Sequence, residues 1–127
     1  MSKKTLTLAK ITEANLSRCK RFHPGGIDDW SPGRWMTATA GELGEAANAL
    51  KKLFRIEDDL VNINEPDRQL STRQEAIDKI GEEVADTFIY LNLFACRLGI
   101  DLAAEVVKKF NATSERYGFP ERLALED

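Results

Sequence analysis

The chain has 127 residues, 43% of them hydrophobic and 31% charged, and its net charge is −3 at pH 7. This length fits a single domain, residues 1–127, whose modest core would gain from association with a second copy. The interspersed charges offer no basic face to a nucleic-acid polymer, and no apolar run reaches membrane-spanning length. Because Cys19 and Cys96 resemble buried free thiols and no secretory signal is present, we expect a cytoplasmic protein.

Four stretches have helical periodicity, and none alternates as a strand would. The first helix carries an apolar stripe interrupted by one asparagine: Leu8, Ile11, Asn15, Cys19 and Phe22. It is expected to end before the His23-Pro-Gly-Gly breaker. The second helix should begin with Ser31 as its cap and Pro32 in its first position, and should run to Phe54.

Residues 55–70 are polar and contain proline, which predicts a surface loop. A capping-box spacing then predicts a third helix that starts at Ser71 and runs towards Leu98. Gly99 should end this helix, and Asp101 should cap the fourth. The predicted inner stripe of the fourth helix is Leu102, Val106, Phe110, Thr113 and Tyr117. The fold predicted is an all-α bundle of four main helices.

The third helix is apolar on nearly all sides after Val84. A helix of this kind needs neighbours on most sides, and a short chain supplies few of them. We therefore expect some neighbours to come from another copy of the chain.

Two of the predicted helices carry acids where their inner stripes should be apolar. Glu42 and Glu45 follow Trp35 on the second helix, and Glu83 and Asp86 share a face of the third. Burying ionised carboxylates is costly unless cations compensate them. Mg²⁺ takes about six oxygen ligands, and acids three residues apart lie side by side on a helix. The pattern predicts a divalent-metal site between facing helices, with solvated helix surface as the alternative.

A di-iron centre is a competing chemistry for carboxylates inside a helical bundle. Such a centre needs, on two of its helices, a histidine three residues after a glutamate. The chain has one histidine, His23, which lies in the Pro-Gly-Gly loop. An oxygen-only site for Mg²⁺, with Mn²⁺ as a substitute, remains.

The two acid-bearing segments resemble the signature segments of the all-α nucleoside triphosphate pyrophosphohydrolases, the MazG-like family. They are Ala-Gly-Glu42-Leu-Gly-Glu45-Ala-Ala-Asn-Ala-Leu-Lys-Lys and Glu82-Glu83-Val-Ala-Asp86-Thr-Phe-Ile-Tyr-Leu. The similarity extends to Trp30, to the helix start at Trp35 and to residues 107–120, so it covers most of the chain. The segment between the two motifs is longer than in compact members of the family.

The resemblance implies a homodimeric or homotetrameric enzyme that hydrolyses a (deoxy)nucleoside triphosphate to the monophosphate and pyrophosphate. The substrate carries about four negative charges, which the acids would repel. Two or more bound Mg²⁺ or Mn²⁺ ions are therefore expected to make the electrostatic potential at the acids positive. The metal ligands and catalytic acids would be Glu42, Glu45, Glu83 and Asp86. One of the glutamates could instead orient the attacking water. Similarity to short phage forms favours a purine substrate, such as dGTP, and the cytoplasm of a host cell.

Other side chains are assigned to the rest of the nucleotide. Lys52, seven residues after Glu45, is expected to contact phosphate, and the resemblance adds Lys109 and Arg116. Base and sugar recognition needs aromatic surface with a few polar groups. The candidates for it are Asn15, Trp30, Trp35, Tyr90 and Asn92. Asn15 is placed in the nucleobase pocket by the resemblance alone. The competing interpretation makes these residues solvated cations or ordinary core.

Two other functions remain open at this point. The first is a non-catalytic interaction module whose acids pair with Lys or Arg of a partner. The second is a metal-dependent phosphatase that releases orthophosphate. Product analysis distinguishes the two enzymes, and metal dependence distinguishes both from the module.

Overall fold

A computed structural model of the chain describes residues 5–59 and 66–126. These residues form four α-helices and one 3₁₀ turn and contain no strand, which confirms the all-α prediction. In chain order the helices are α1 Leu8–Phe22, α2 Pro32–Asp59, α3 Pro66–Arg97 and α4 Leu102–Tyr117. The 3₁₀ turn Gly26–Asp29 lies between α1 and α2.

Most helix ends follow the signals in the sequence. α1 ends before His23, and α2 begins at Pro32. Gly99 follows α3 with a φ of 70°, and the Asp101 side chain caps α4 by accepting a hydrogen bond from a backbone N–H. Gly118 ends α4 with a φ of 71°, a left-handed conformation that glycine adopts without steric cost.

The prediction of a loop over residues 55–70 is wrong at both of its ends. α2 continues to Asp59, and α3 begins at Pro66, ahead of the predicted start at Ser71. Proline suits the first position of a helix because an N–H there would have no helical partner. Residues 60–65, the middle of the predicted loop, lie outside the described residues. The polar composition misled the prediction because a polar sequence carries no apolar stripe, whether it continues a helix or forms a loop.

The helices fall into two compact units. Unit 1 comprises residues 1–32 and 92–127, and unit 2 comprises residues 33–91. Unit 1 therefore holds α1, the 3₁₀ turn, the end of α3 and α4. Unit 2 holds nearly all of α2 and most of α3, including the acids of both helices.

In unit 2, α2 and α3 run antiparallel. The rings of Trp35 and Tyr90 lie 6.3 Å apart, whereas further along α2 the Arg73 guanidinium donates to Glu57 at 3.1 Å. Rising residue numbers on α2 therefore meet falling numbers on α3. Trp35 is 1% exposed and Ala49 is 7% exposed, so both side chains of α2 are buried.

A chain of hydrogen bonds crosses the core of unit 1. Nδ2 of Asn15 donates to Oδ1 of Asn92 at 3.1 Å, and Nδ2 of Asn92 donates to Oγ1 of Thr12 at 2.9 Å. Asn15 is 4% exposed and Asn92 is 1% exposed. Buried amides are costly without partners, so this chain of bonds fixes how α1 packs against the end of α3.

Replacing Asn92 with alanine is expected to lower the free energy of unfolding by about 2–4 kcal/mol, because it removes two buried hydrogen bonds and leaves a small cavity. Urea denaturation measures the change. The matched control is Asn48→Ala at an exposed position of α2, for which we expect a change within about 0.5 kcal/mol. Equal effects of the two substitutions would contradict a structural role for the Asn92 hydrogen bonds.

The predicted inner stripe of α4 is wrong for its large side chains. Val106 and Phe110 are each 42% exposed, and Tyr117 is 60% exposed. The apolar part of α3 is covered only in part by its own chain, and the neighbours expected from another copy stay a prediction. Three of its large side chains are exposed: Val84, Phe88 and Leu91. The segments with periodic apolar side chains are therefore helical as predicted, but other parts of the chain do not fully cover those side chains.

Two smaller expectations concern the cysteines and the membrane. Cys19 is buried, Cys96 is half-buried, and both are free thiols. Among the described residues, no single helix has the length and apolar character needed to cross a membrane. Only a bent pair, Thr72–Arg97 followed by Leu102–Tyr117, meets those limits when the two helices are taken together.

Candidate metal centre

Three of the four predicted acids come together in unit 2. One carboxylate oxygen from each of Glu42, Glu45 and Glu83 lies within 4.8 Å of the other two. The first two acids are neighbours on one side of α2, and the antiparallel pairing brings Glu83 of α3 to them. Glu83 is 4% exposed, Glu42 is half-buried and Glu45 is exposed. These three carboxylates are called the acid cluster below.

Asp86 does not belong to the acid cluster. It is exposed, so its predicted place on a buried stripe is wrong. Three residues turn a helix by about 300°, which leaves Asp86 about 60° around the axis from Glu83 and nearer to solvent. Its charge still acts on the cluster, because it contributes to the raised pKa of Glu42.

The two oxygens of Glu83 have different surroundings. Oε1 accepts from Nζ of Lys79 at 2.9 Å. Oε2 is buried and has no hydrogen-bond donor among the described residues. A buried acceptor without a partner costs about 1–3 kcal/mol, and more when it is charged. A cation at the acid cluster would compensate this oxygen, and three carboxylates are the ligand type that a hard ion such as Mg²⁺ prefers.

The acid cluster shares one proton near neutral pH. Burial raises the pKa of Glu42 to about 7, with further contributions from the neighbouring carboxylates of Glu83, Glu45 and Asp86. The pKa of Glu83 is lowered, chiefly by the hydrogen bond from Lys79. Close carboxylates cannot all ionise freely, so Glu42 holds the proton while Glu83 keeps its charge. A metal ion bound by Glu42 would have to displace this proton.

Lys79 is a site residue that the sequence analysis missed. Its Nζ lies 2.9 Å from Oε1 of Glu83 and 3.5 Å from Oε2 of Glu82. The available signal was its spacing of four residues before Glu83, which places both side chains on one face of α3. Lys79 is thus an internal counterion of the acid cluster, and a bound metal ion would compete with it.

Replacing Lys79 with methionine is expected to tighten Mg²⁺ binding by about two- to fivefold, because the ion then no longer competes with an exposed ammonium group for Glu83. Isothermal titration calorimetry measures the dissociation constant. The control Lys51→Met removes the same charge from an exposed position of α2. Weaker binding by the Lys79 variant than by the control would contradict competition between Lys79 and the ion.

A cleft of about 530 Å³ opens beside the acid cluster in unit 2. Its volume lies within the range of about 300–1,000 Å³ usual for small-molecule sites. The cleft is lined by side chains of both helices, among them Glu45, Lys52, Glu75, Lys79 and Glu83. Lys52, predicted to contact phosphate, therefore lies on the same cleft as two of the acids.

The other predicted contacts in unit 2 are Trp35 and Tyr90, whose rings pack against each other at a tilt of 41°. Trp35 is 1% exposed, so in this conformation its ring offers no face to a ligand. Tyr90 is half-buried. Contact of either ring with a base or sugar stays a prediction.

Five predicted contacts belong to unit 1 and stay predictions. Asn15 and Asn92 are held in the buried amide chain described above, and the ring of Trp30 lies edge-on to another ring with centroids 4.8 Å apart. Lys109 lines an apolar groove of about 620 Å³ along α4. The Arg116 guanidinium lies 5.4 Å from the centre of the Tyr117 ring, within the range of a cation–π contact.

The chain was compared with models of protein families, with curated proteins and with solved structures, and none of the three comparisons gave a match. The resemblance to the MazG-like family therefore stays a prediction carried by the two acid motifs.

Proposed function

We propose that the protein is a Mg²⁺-dependent pyrophosphohydrolase that converts a (deoxy)nucleoside triphosphate, with a purine nucleotide such as dGTP as the expected substrate, to the monophosphate and pyrophosphate. One observation carries the proposal: the buried Oε2 of Glu83 has no hydrogen-bond donor among the described residues, and it belongs to a carboxylate that meets two others within 4.8 Å. The family resemblance of both acid motifs supports the same reaction.

Residues of unit 2 have different roles in the proposed site. Glu42, Glu45 and Glu83 would hold the cation, and Asp86 adds negative charge beside them. When bound, Mg²⁺ or Mn²⁺ supplies the positive charge that offsets the phosphate oxygens and lowers the pKa of a coordinated water. The cleft beside the acids gives the nucleotide a place next to the cluster.

Lys79 and Glu42 have roles of their own in this proposal. Lys79 balances Glu83 in the metal-free protein, and its ammonium group lies close enough to the acids to turn to a substrate phosphate instead. Glu42 carries a raised pKa of about 7 in the metal-free cluster, so a bound ion replaces its proton. One glutamate of the cluster orients the attacking water in this proposal.

The experiment that tests the reaction is an incubation of the purified protein with each common dNTP and NTP, with Mg²⁺ or with a chelator. Nucleotide products are separated, and pyrophosphate and orthophosphate are assayed in parallel. We expect monophosphate and pyrophosphate in equal amounts, in the presence of Mg²⁺ only. Orthophosphate would favour the phosphatase, and survival of every nucleotide with Mg²⁺ or Mn²⁺ would favour the interaction module.

The proposal includes a homo-oligomer, supported by the exposed apolar stripe of α4. Phe110 lies at the middle of this stripe and lines the apolar groove of unit 1. Most monomeric proteins do not expose apolar patches of this kind without a partner. A second copy of the chain is the partner that a homodimer or homotetramer supplies.

Phe110→Glu is expected to shift the protein from a dimer or tetramer to a monomer, because it places a charge in a contact surface that would be apolar. Sedimentation velocity measures the shift. The control Ala112→Glu adds the same charge at another exposed position of α4 that does not line the groove. A wild-type protein that sediments as a monomer at high concentration would contradict the oligomer.

A further inference from the structure

A segment without regular structure follows α4 and is held against it by one side chain. Residues 119–126 contain neither helix nor strand, and they are called the strap below. Nδ2 of Asn111 on α4 donates to the carbonyl of Leu123 at 2.8 Å, and Oδ1 of Asn111 accepts from the N–H of Leu123 at 2.8 Å. Paired residues of antiparallel strands exchange the same two bonds. The Asn111 amide therefore binds the strap as a neighbouring strand would, through the backbone alone.

The strap has few other hydrogen bonds to the helices. At its beginning, the N–H of Phe119 donates to the carbonyl of Ser114 at 2.8 Å. After Phe119, the pair of bonds with Asn111 is the only hydrogen-bonded link from the strap to a helix in the described parts of the chain. The Arg122 guanidinium donates to two carbonyls of the strap itself. The strap is thus braced internally and is attached to α4 at two points.

The strap forms one wall of a cavity of about 770 Å³ in unit 1. The other walls come from α1, from the end of α3 and from the first half of α4. Leu123 and Leu125 line the cavity from the strap. Thr12 and Asn92, which share a bond of the buried amide chain, line it from the helices. The strap therefore closes one side of a cavity that reaches the buried hydrogen bonds of unit 1.

The strap is held more weakly than the other walls of this cavity. Leu123 is 43% exposed and Leu125 is 53% exposed, so each gains only part of the stabilisation of a buried leucine. The bonds with Asn111 are also exposed, whereas Asn92 is 1% exposed. Elements with few buried contacts and exposed hydrogen bonds open locally at a lower free energy than the global unfolding of a protein. Opening of the strap therefore costs less than separation of the helices.

We infer that the strap is a lid on the cavity of unit 1, which opens by releasing Asn111 and admits solutes while the four helices stay folded. The inference goes beyond the proposed function and does not depend on the acid cluster. It assigns to Asn111 the role of the latch, which no signal in the sequence indicated.

The two cysteines of the chain report on two different events. Cys96 lines the cavity and is half-buried. Cys19 also belongs to unit 1, but it is 4% exposed and does not line the cavity. Reagents should therefore reach Cys96 when the strap opens, and should reach Cys19 only when a larger part of unit 1 unfolds.

The test measures the rate at which N-ethylmaleimide labels each thiol, resolved by mass spectrometry of the two cysteine-containing peptides. In wild type we expect Cys96 to be labelled at least about tenfold faster than Cys19. Asn111→Leu removes both bonds to the strap without lowering the helix propensity of α4. We expect this variant to raise the rate at Cys96 by about 5- to 30-fold, and the rate at Cys19 by less than about twofold.

A second variant and a control complete the test. Leu125→Ser removes an apolar contact of the strap without changing any helix, and we expect it to raise the rate at Cys96 by about three- to tenfold. The control Lys108→Leu places a leucine at an exposed position of α4 that lines neither the cavity nor the apolar groove. It should leave both rates within about twofold of wild type.

Four results would overturn the strap as a lid. Equal labelling of the two thiols in wild type would mean that the cavity opens only when unit 1 unfolds. An unchanged rate at Cys96 in Asn111→Leu or in Leu125→Ser would mean that the strap does not control access. Equal rises at both thiols in Asn111→Leu would show that Asn111 stabilises unit 1 as a whole. An equal rise at Cys96 in the control would assign the effect to α4.

Discussion

Glu83→Gln is expected to lower the rate of Mg²⁺-dependent pyrophosphate release by about 100- to 1,000-fold, a loss typical of removing one charged group from a catalytic centre. The glutamine keeps the shape of the side chain but removes the buried negative charge that would hold the ion. The measurement is the steady-state rate at saturating Mg²⁺ and nucleotide.

The same substitution is expected to change the free energy of unfolding of the metal-free protein only slightly, because two effects oppose each other. It removes the ion pair with Lys79, which lowers the pKa of Glu83. It also replaces the buried Oε2, which has no donor among the described residues, with an amide that can donate a hydrogen bond to a neighbouring carboxylate. A large loss of rate without a matching loss of stability would identify Glu83 as a residue arranged for function.

Glu82→Gln is the matched control for this prediction. Glu82 is the next residue on α3, also lies near Lys79, and has a side chain that is 70% exposed. We expect its substitution to change the rate by less than about twofold, because a solvated carboxylate interacts weakly with its surroundings. If both glutamine variants lose activity equally, the effect comes from the charge of α3 as a whole and the special role of Glu83 is contradicted.

The second large effect is the pH dependence that the acid cluster gives to the stability of the protein and to its affinity for Mg²⁺. The pKa of Glu42 is raised from 4.5 to about 7 in the folded protein. The folded state then holds this proton more tightly than the unfolded state, so the free energy of unfolding falls as the pH rises through the window from 4.5 to about 7. Glu83 acts in a separate window, because its lowered pKa adds stability above 4.5 that is lost as the pH falls further.

Metal binding depends on the same proton, but the affinity for the metal rises with pH where the free energy of unfolding falls. Below pH 7 a bound ion must displace the proton of Glu42, so the apparent affinity for Mg²⁺ should rise about tenfold per pH unit and level off above the pKa of about 7. Calorimetric titrations between pH 5.5 and pH 8.5 measure this slope, with about two titrations below and two above the pH at which the affinity should level off. The variant Glu42→Gln should lose the slope, and a flat profile in wild type would contradict the shared proton.

The helix order and several helix ends could be predicted because local signals determine them. Pro32 starts α2, Asp101 caps α4 and Gly118 ends it, and each acts through its own backbone geometry. The extension of α2 and α3 into residues 55–59 and 66–70 was not predictable in this way. A polar sequence without an apolar stripe has the same pattern whether it continues a helix or forms a loop.

The acid cluster was predictable in outline because acids on an inner helix stripe need compensation. The helical pattern placed two acids on the inner stripe of each helix, whereas of the four only Glu83 is fully buried and Asp86 is exposed. The difference arises because residues three apart on a helix diverge by about 60°, and which of them turns inwards depends on the partner helix. Lys79 was missed because a lysine beside acids on a helix surface is ordinary, and only its 2.9 Å contact with a buried oxygen sets it apart.

Exposure of the α4 stripe illustrates a different limit of the sequence. The spacing of Val106, Phe110 and Tyr117 correctly indicated one apolar face of a helix. Periodicity predicts that such a face will be covered, but it cannot tell whether the cover comes from the same chain or from another copy. The exposure of these three side chains is therefore the observation that the proposed oligomer explains.

The central claim is that Glu42, Glu45 and Glu83 form a divalent-cation site, and calorimetric titration of Mg²⁺ into the nucleotide-free protein at pH 8 tests it most directly. We predict saturable binding to wild type, and binding weakened by at least about tenfold in Glu83→Gln, with Glu82→Gln binding as wild type does. Equal binding by all three proteins, or no saturable binding of Mg²⁺ or Mn²⁺ to wild type, would contradict the metal centre and the enzyme proposed from it.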